Sequence, residues 1–163
     1  MKRRVFYSFH YKPDAWRASQ VRNIGAVEGN RPATDNDWET VKRGGDAAIK
    51  KWISDQMKGR SCTVVLVGAN TAGRKWITHE IVESWNEGMG VAGIYIHGLI
   101  DQDGKTTKKG QNPFGDISFN DGKLSSIVKC YTPQGTSSTE KYDWIKNNLA
   151  DIIEEAIDIR KKS

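Results

Sequence analysis

The amino-acid sequence predicts an α/β fold, a doubly wound and mostly parallel sheet with helices on both faces. Three observations carry that expectation. In the stretch Ser61–Trp85, an unbroken β-branched run, Ser61-Cys62-Thr63-Val64-Val65-Leu66-Val67, precedes Gly68, a short polar loop and a helical pattern. This is a buried strand feeding a helix, half of a βαβ unit. Strand-like runs at Arg4–Tyr11 and Val91–His97 lie before and after it, separated by segments of helical spacing. No repeat or linker interrupts the 163 residues, so the alternation is expected to form one domain over residues 1–163.

In chain order, the first strand pattern is broken at Lys12-Pro13-Asp14, where Pro13 suits a turn or the start of a helix. Asp14–Ser19 makes two helical turns, and Gln20–Val27 is expected as a second strand interrupted by Gly25. The polar Glu28–Asn36 is expected as a surface loop, long enough to act as a lid or contact. A helix over Asp37–Arg43, capped by Asp35, Asn36 or Asp37, breaks at Gly44-Gly45 and resumes over Asp46–Lys58 with Asp46 as cap. Ile49, Ile53 and Met57 form its apolar stripe and Gly59 stops it. After Gly68, Ile77, Ile81 and Ser84/Trp85 share a buried face. Glu80 rides at its edge, near the carboxyl end of a parallel strand, where open α/β sheets bind ligands. Gly88 and Gly90 close that helix.

Gly98–Asp121 is expected as a loop about twice the usual length, a kind that is commonly functional or mobile. Leu124–Tyr131 is expected as an edge strand, Pro133–Ser138 as a turn and Thr139–Lys162 as a long helix. Ile145, Leu149, Ile152, Ala156 and Ile159 form its stripe.

Composition bounds the function. With 37% hydrophobic residues and six tryptophans, a domain of this size buries roughly 70% of its unfolded surface without a staple. Cys62 and Cys130 have neither zinc nor redox spacing and are expected as small buried hydrophobes. No apolar run nears the roughly 18 residues that span a bilayer, so a cytoplasmic protein without a membrane partner is expected. The charge of +5, from 25 basic and 20 acidic residues, is partly terminal; with no basic helix face, nucleic acid is not an expected partner. His10, His79 and His97 lack metal-ligand spacing, so no metal is expected. The first strand is not followed by Gly-x-Gly-x-x-Gly, and no Gly-x-x-x-x-Gly-Lys-Ser/Thr loop occurs. A receiver domain would need acidic residues where this strand ends in Ser8-Phe9-His10.

Val5-Phe6-Tyr7-Ser8-Phe9 resembles the opening strand of TIR domains, and Trp76-Ile77-Thr78-His79-Glu80-Ile81 is similar to the Trp-x-x-x-Glu helix of enzymatic TIR domains. The fuller pattern resembles the TIR-like domain of the Thoeris antiphage system, the ThsB family. It runs through Ser8-Phe9-His10-Tyr11, Arg17, Val21-Arg22-Asn23, Trp38-Glu39, Asp46, Asn112-Pro113-Phe114 and Tyr142-Asp143-Trp144. The resemblance implies a flavodoxin-like fold and an NAD⁺ glycohydrolase or cyclase. Its product would be a nucleotide such as a cyclic ADP-ribose isomer that switches on a separate effector during phage infection. It implies no cofactor beyond NAD⁺ as substrate, and a homo-oligomer or filament on activation. The enlarged Gly98–Asp121 loop and the loop after the second strand depart from animal and plant TIR domains.

The chemistry stands beside the resemblance. Cleaving the nicotinamide ribosidic bond creates an oxocarbenium-like centre, and the leaving group departs as a neutral ring without needing a proton. One carboxylate facing the developing charge therefore suffices, and Glu80 is the candidate. By family analogy Ser8 meets the nucleotide at the strand end, while Phe9 and Trp76 supply flat apolar surface. His10, Arg17 and Asn23 are candidates for phosphate or ribose contacts, Arg17 through its planar fork. Each has an ordinary alternative. Phe9 and Trp76 suit a core, His10 a loop, Arg17 an ion pair with Asp14 or Glu39, and Asn23 a turn cap. Glu83 and Glu87 follow on the face of Glu80 as internal controls. A non-catalytic module signalling by homotypic assembly is the competing class, and a related ribosyl-transferring enzyme a third.

Overall fold

A computed structural model describes residues 2–30, 40–119 and 122–163. Strand β1 (Arg4–Phe9) leads into helix α1 (Tyr11–Arg22), followed by β2 (Glu28–Gly29) and α2 (Gly45–Met57). Then come β3 (Cys62–Val67), α3 (Lys75–Asn86), β4 (Gly90–Tyr95), β5 (Ser118–Phe119), β6 (Gly122–Lys123), β7 (Cys130–Tyr131) and α4 (Ser138–Lys161). The main sheet is parallel throughout, in the order β2-β1-β3-β4-β7. This is the flavodoxin-like arrangement, in which the strand order reverses direction beside β1.

The strands sort the helices to two sides. Val5, Tyr7, Val64, Leu66 and Ile94 pack with α1 and α4, while Val65, Val67, Val91 and Tyr95 meet Ile77, Ile81 and Trp85 of α3. Phe6 packs on Ile49, Ile53 and Met57 of α2. Because β3 and β4 are covered on both sides, their residues are buried without alternation. Gly59 ends the region after α2 with φ of 75°, a left-handed conformation that costs glycine little. Gly88, Gly90 and Gly93 share the spacing of a dinucleotide fingerprint but stand at the entry to β4. A Cβ at Gly90 would lie 2.7 Å from the Ile157 backbone nitrogen, so this close approach serves helix packing.

Several sequence expectations change. Gln20, Val21 and Arg22 are the last turn of α1, and the second strand is the short Glu28–Gly29, paired with Arg4 and Val5. The buried face of α1 is Asp14, Arg17, Ala18 and Val21, half of it charged, so apolar periodicity conceals the helix. Pro13 sits in its first turn, where a missing N–H costs nothing. In Leu124–Tyr131 only Cys130–Tyr131 is strand; Leu124–Ser126 forms a 3₁₀ turn whose Leu124 carbonyl accepts from Val128 N–H (2.9 Å). Asp46 does not cap α2 but pairs with Lys75 at 2.6 Å. The expected lid beyond Asn30 and the caps at 35–37, with Trp38 and Glu39, lie outside the described residues. Residues 40–43 are helical. The long loop after β4 is packed, with Phe114 and Ile117 buried beside α3 and with β5 and β6 paired antiparallel. No helix among the described residues is long and apolar enough to cross a membrane.

Candidate active site

β1 pairs with β2 on one edge only as far as Val5, and with β3 on the other from Val5 to Phe9. The chain therefore winds away from β1 in opposite directions, leaving a crevice at the carboxyl ends of the strands. A hollow of about 860 Å³ fills it, within the roughly 300–1,000 Å³ typical of small-molecule sites. Among the described residues it is lined by Phe9, His10, Trp76 and Glu80 of the sequence candidates, together with Tyr7, Asn30, Trp52 and Arg74.

Glu80 reaches the crevice because α3 starts at the rim and buries Ile77 and Ile81 on either side of it. The Ser84 hydroxyl donates to the Glu80 carbonyl (2.6 Å) and so accepts from Thr63 (2.6 Å). This seam pins the turn that carries Glu80 to β3. At the other end of the side chain, Ser8 Oγ donates to Glu80 Oε1 at 2.6 Å. Although the residue as a whole is half-buried, its carboxyl group is enclosed. Burial pushes its pKa up to about 8, opposed in part by the Ser8 hydrogen bond. Burial of this kind favours the neutral carboxyl, and a cation beside it would favour the charged form.

The rim is basic. Lys12, Lys42, Arg74 and Lys75 all line the hollow, with Lys75 also paired to Asp46. α3 begins at the hollow, which Gly73, Arg74, Lys75 and Trp76 line, and it has no side-chain cap at Arg74; a helix N-terminus so placed suits an anion. Flat surface comes from Trp76, which stands edge-on to His79 with ring centroids 5.6 Å apart, and from Phe9, which lies beside Tyr11. Both also pack against core clusters, the core role expected of them, while lining the hollow. His10 ends β1 at the N-cap of α1; burial and then the Arg74 charge lower its pKa.

Ser8 is buried and meets Glu80 without itself lining the hollow, and Arg17 and Asn23 are not brought to it. Arg17 is buried behind it, donating through Nε to the Leu99 carbonyl (2.8 Å) and through Nη2 to the Lys105 carbonyl (2.9 Å). It also lies 3.5 Å from Asp14 and 3.6 Å from Asp101. Its donors are engaged in fastening the long loop to α1, the ion-pair alternative extended to a clamp. Asn23 is exposed at the C-cap of α1, toward the amino ends of the strands.

Asn30 is a lining residue that sequence reasoning missed. It is buried, and its Oδ1 accepts the Tyr7 N–H at 2.9 Å, taking the place of the next residue of a strand that has already ended. No local signal marks it, because it depends on where β2 stops. Arg74 was findable, as a cation immediately ahead of a helix start at a strand's carboxyl end. Among the described residues no group of three or more His, Cys, Asp or Glu is placed to hold a metal.

Fold and crevice together define a flavodoxin-like α/β domain with an enclosed carboxylate in a nucleotide-sized, basic-rimmed hollow. The model of the Thoeris protein ThsB TIR-like domain matches residues 6–101, a span that includes Ser8, Trp76 and Glu80. The chain is also 35% identical over 131 residues to a Bacillus cereus (strain MSX-D12) protein named putative cyclic ADP-D-ribose synthase ThsB1. That match covers 76% of this chain and 68% of the relative. The chain belongs to the ThsB TIR-like family of Thoeris proteins.

Proposed function

We propose that the protein cleaves NAD⁺, releases nicotinamide and makes an ADP-ribose derived, cyclic signal that activates an antiphage effector. The observation that carries this reading is the enclosed Glu80 carboxyl, with Ser8 as its hydrogen-bond partner, opening on a hollow of nucleotide size. The name of the Bacillus cereus relative supports the product class.

In this reading the pyridinium of NAD⁺ supplies the cation that ionises Glu80 on binding. The carboxylate then faces the oxocarbenium-like centre as the bond to nicotinamide breaks, in a site where water does not screen it. Trp76 and Phe9 offer surface for a ring. The basic rim and the α3 N-terminus attract the diphosphate. Purified protein incubated with NAD⁺, alone and with lysate of phage-infected cells, is expected to release nicotinamide and a cyclic product resolved by chromatography and mass spectrometry. Glu80→Ala should lower the rate by about 10²–10³-fold, the scale of losing one preorganised electrostatic group, and Glu83→Ala by less than about twofold. Full activity in Glu80→Ala, or none in the native protein under both conditions, contradicts the proposal and leaves an assembly module.

A further inference from the structure

We propose that His10 accepts the proton of the hydroxyl that attacks the ribosyl centre, making it a second catalytic residue beside Glu80. The inference rests on the NAD⁺-cleaving reading above and goes beyond it, since it concerns what happens after nicotinamide has left.

The geometry comes from one strand. Ser8 and His10 are two residues apart on extended backbone, with His10 at φ −75° and ψ 100°. They therefore project to the same side, about 6.6 Å apart along the strand. Ser8 holds the Glu80 carboxyl, and His10 and Glu80 line the same hollow. His10 is thus one step further along the chain than the serine that holds the carboxyl, and both groups line the one hollow. Two-group hydrolytic sites seat an acceptor oxygen between their two groups, which stand roughly 6.5–9.5 Å apart. His10 Nδ1 is enclosed without a hydrogen-bond partner, so no bond at that atom commits the ring to a structural role.

The chemistry requires a base. When the ribosyl C–N bond breaks, its electron pair leaves with neutral nicotinamide. A lone pair of the acceptor oxygen, from water or from a hydroxyl of the same nucleotide, forms the new bond to carbon. As that bond forms, the acceptor's O–H bond breaks with its electrons staying on oxygen, and the proton needs a destination while the ribosyl centre still carries positive charge. Glu80 serves by remaining charged while the cation persists, so taking that proton would discharge it when its charge is needed. Lysine and arginine offer no acceptor, and burial drives the Tyr7 hydroxyl upward. His10 differs: burial first, and then the Arg74 charge, favour the neutral ring, which has a free lone pair at neutral pH. The imidazolium formed passes its proton to solvent.

The test uses an acceptor that has no proton to lose. A free pyridine base such as 3-acetylpyridine attacks the ribosyl centre through its ring nitrogen and replaces nicotinamide without any deprotonation. In one sample, exchange into that base and transfer to oxygen are measured together, for the native protein and for His10→Gln and His10→Asn. Because both rates come from the same molecules, any misfolded fraction cancels in their ratio. The ratio of exchange to oxygen transfer should rise by about a hundredfold or more in both variants, the lower end of what a general base contributes. A ratio unchanged within about threefold overturns the inference, whether both rates fall together or neither does. A native protein that neither exchanges nor cleaves defeats the NAD⁺ reading itself, and the role of His10 with it.

Discussion

Two ionisable side chains sit at the carboxyl ends of the strands, and they are provided for in opposite ways. Arg17 is surrounded by carbonyls and carboxylates, the two closest bonds running to Leu99 and Lys105, with Asp14 and Asp101 adding charge. Glu80 has the Ser8 hydroxyl and a hollow. A charge that the protein satisfies fully is structural, because nothing is left for a ligand to do. One left under-satisfied is destabilising by itself and is retained where an incoming partner completes it. Arg17 fixes the long loop behind the crevice, whereas Glu80 waits within it.

Predictions that separate the two begin with the largest effect. Arg17→Ala leaves Asp14 buried without its partner, and breaking such a pair costs about 3–5 kcal/mol. At this size that lowers the Tm by about 10 °C, to be read by calorimetry. Nicotinamide release per folded molecule should survive; its selective loss with an unchanged Tm would make Arg17 a ligand, as the sequence first suggested. Glu80→Gln behaves oppositely, losing activity without losing stability. Burial raises the folded-state pKa of Glu80 from 4.5 to about 8. The stability that this carboxyl contributes is complete below about pH 4.5 and is lost as pH rises toward 8. The Tm of Glu80→Gln should therefore gain on the native protein across that window and level off above it. A constant difference from pH 4 to 9 would deny the raised pKa.

A smaller effect probes the wall between the two charges. Gly110 lies so close to the β3 end that a Cβ there would be 2.2 Å from the Gly68 carbonyl oxygen. Gly110→Ala should cost about 1–3 kcal/mol, as overpacking does, and raise KM through the Gly68–Arg74 wall more than it lowers kcat. Least consequential is Asp46→Asn, which removes an exposed partner of Lys75. Exposed pairs contribute little, so the Tm should not move.

Much of this site was legible in the sequence. The uniform apolar run of β3 and the period of Ile77, Ile81 and Trp85 place Glu80 at the sheet's rim without coordinates, because burial on two sides and helical spacing both leave plain marks. Three features left none. α1 hides Asp14 and Arg17 on its buried side, so its extent could not be seen in apolar spacing. β2 has two residues, too few for any pattern, which misplaced the second strand and concealed Asn30. The role of Arg17 depends on carbonyls 82 and 88 positions away in sequence. Residue type alone shows that a charge is present but not whether the fold has already answered it.

The central claim concerns the protonation state of one carboxyl, and ¹³C NMR of protein labelled at its glutamate side chains observes it directly, with Glu80→Gln identifying the signal. In the ligand-free protein the Glu80 resonance should titrate near pH 8, and an uncleavable, positively charged NAD⁺ analogue should draw that transition below pH 7. A transition near 4.5 that the analogue leaves unmoved would show a carboxylate already satisfied, with no charge held in reserve for a ribosyl cation.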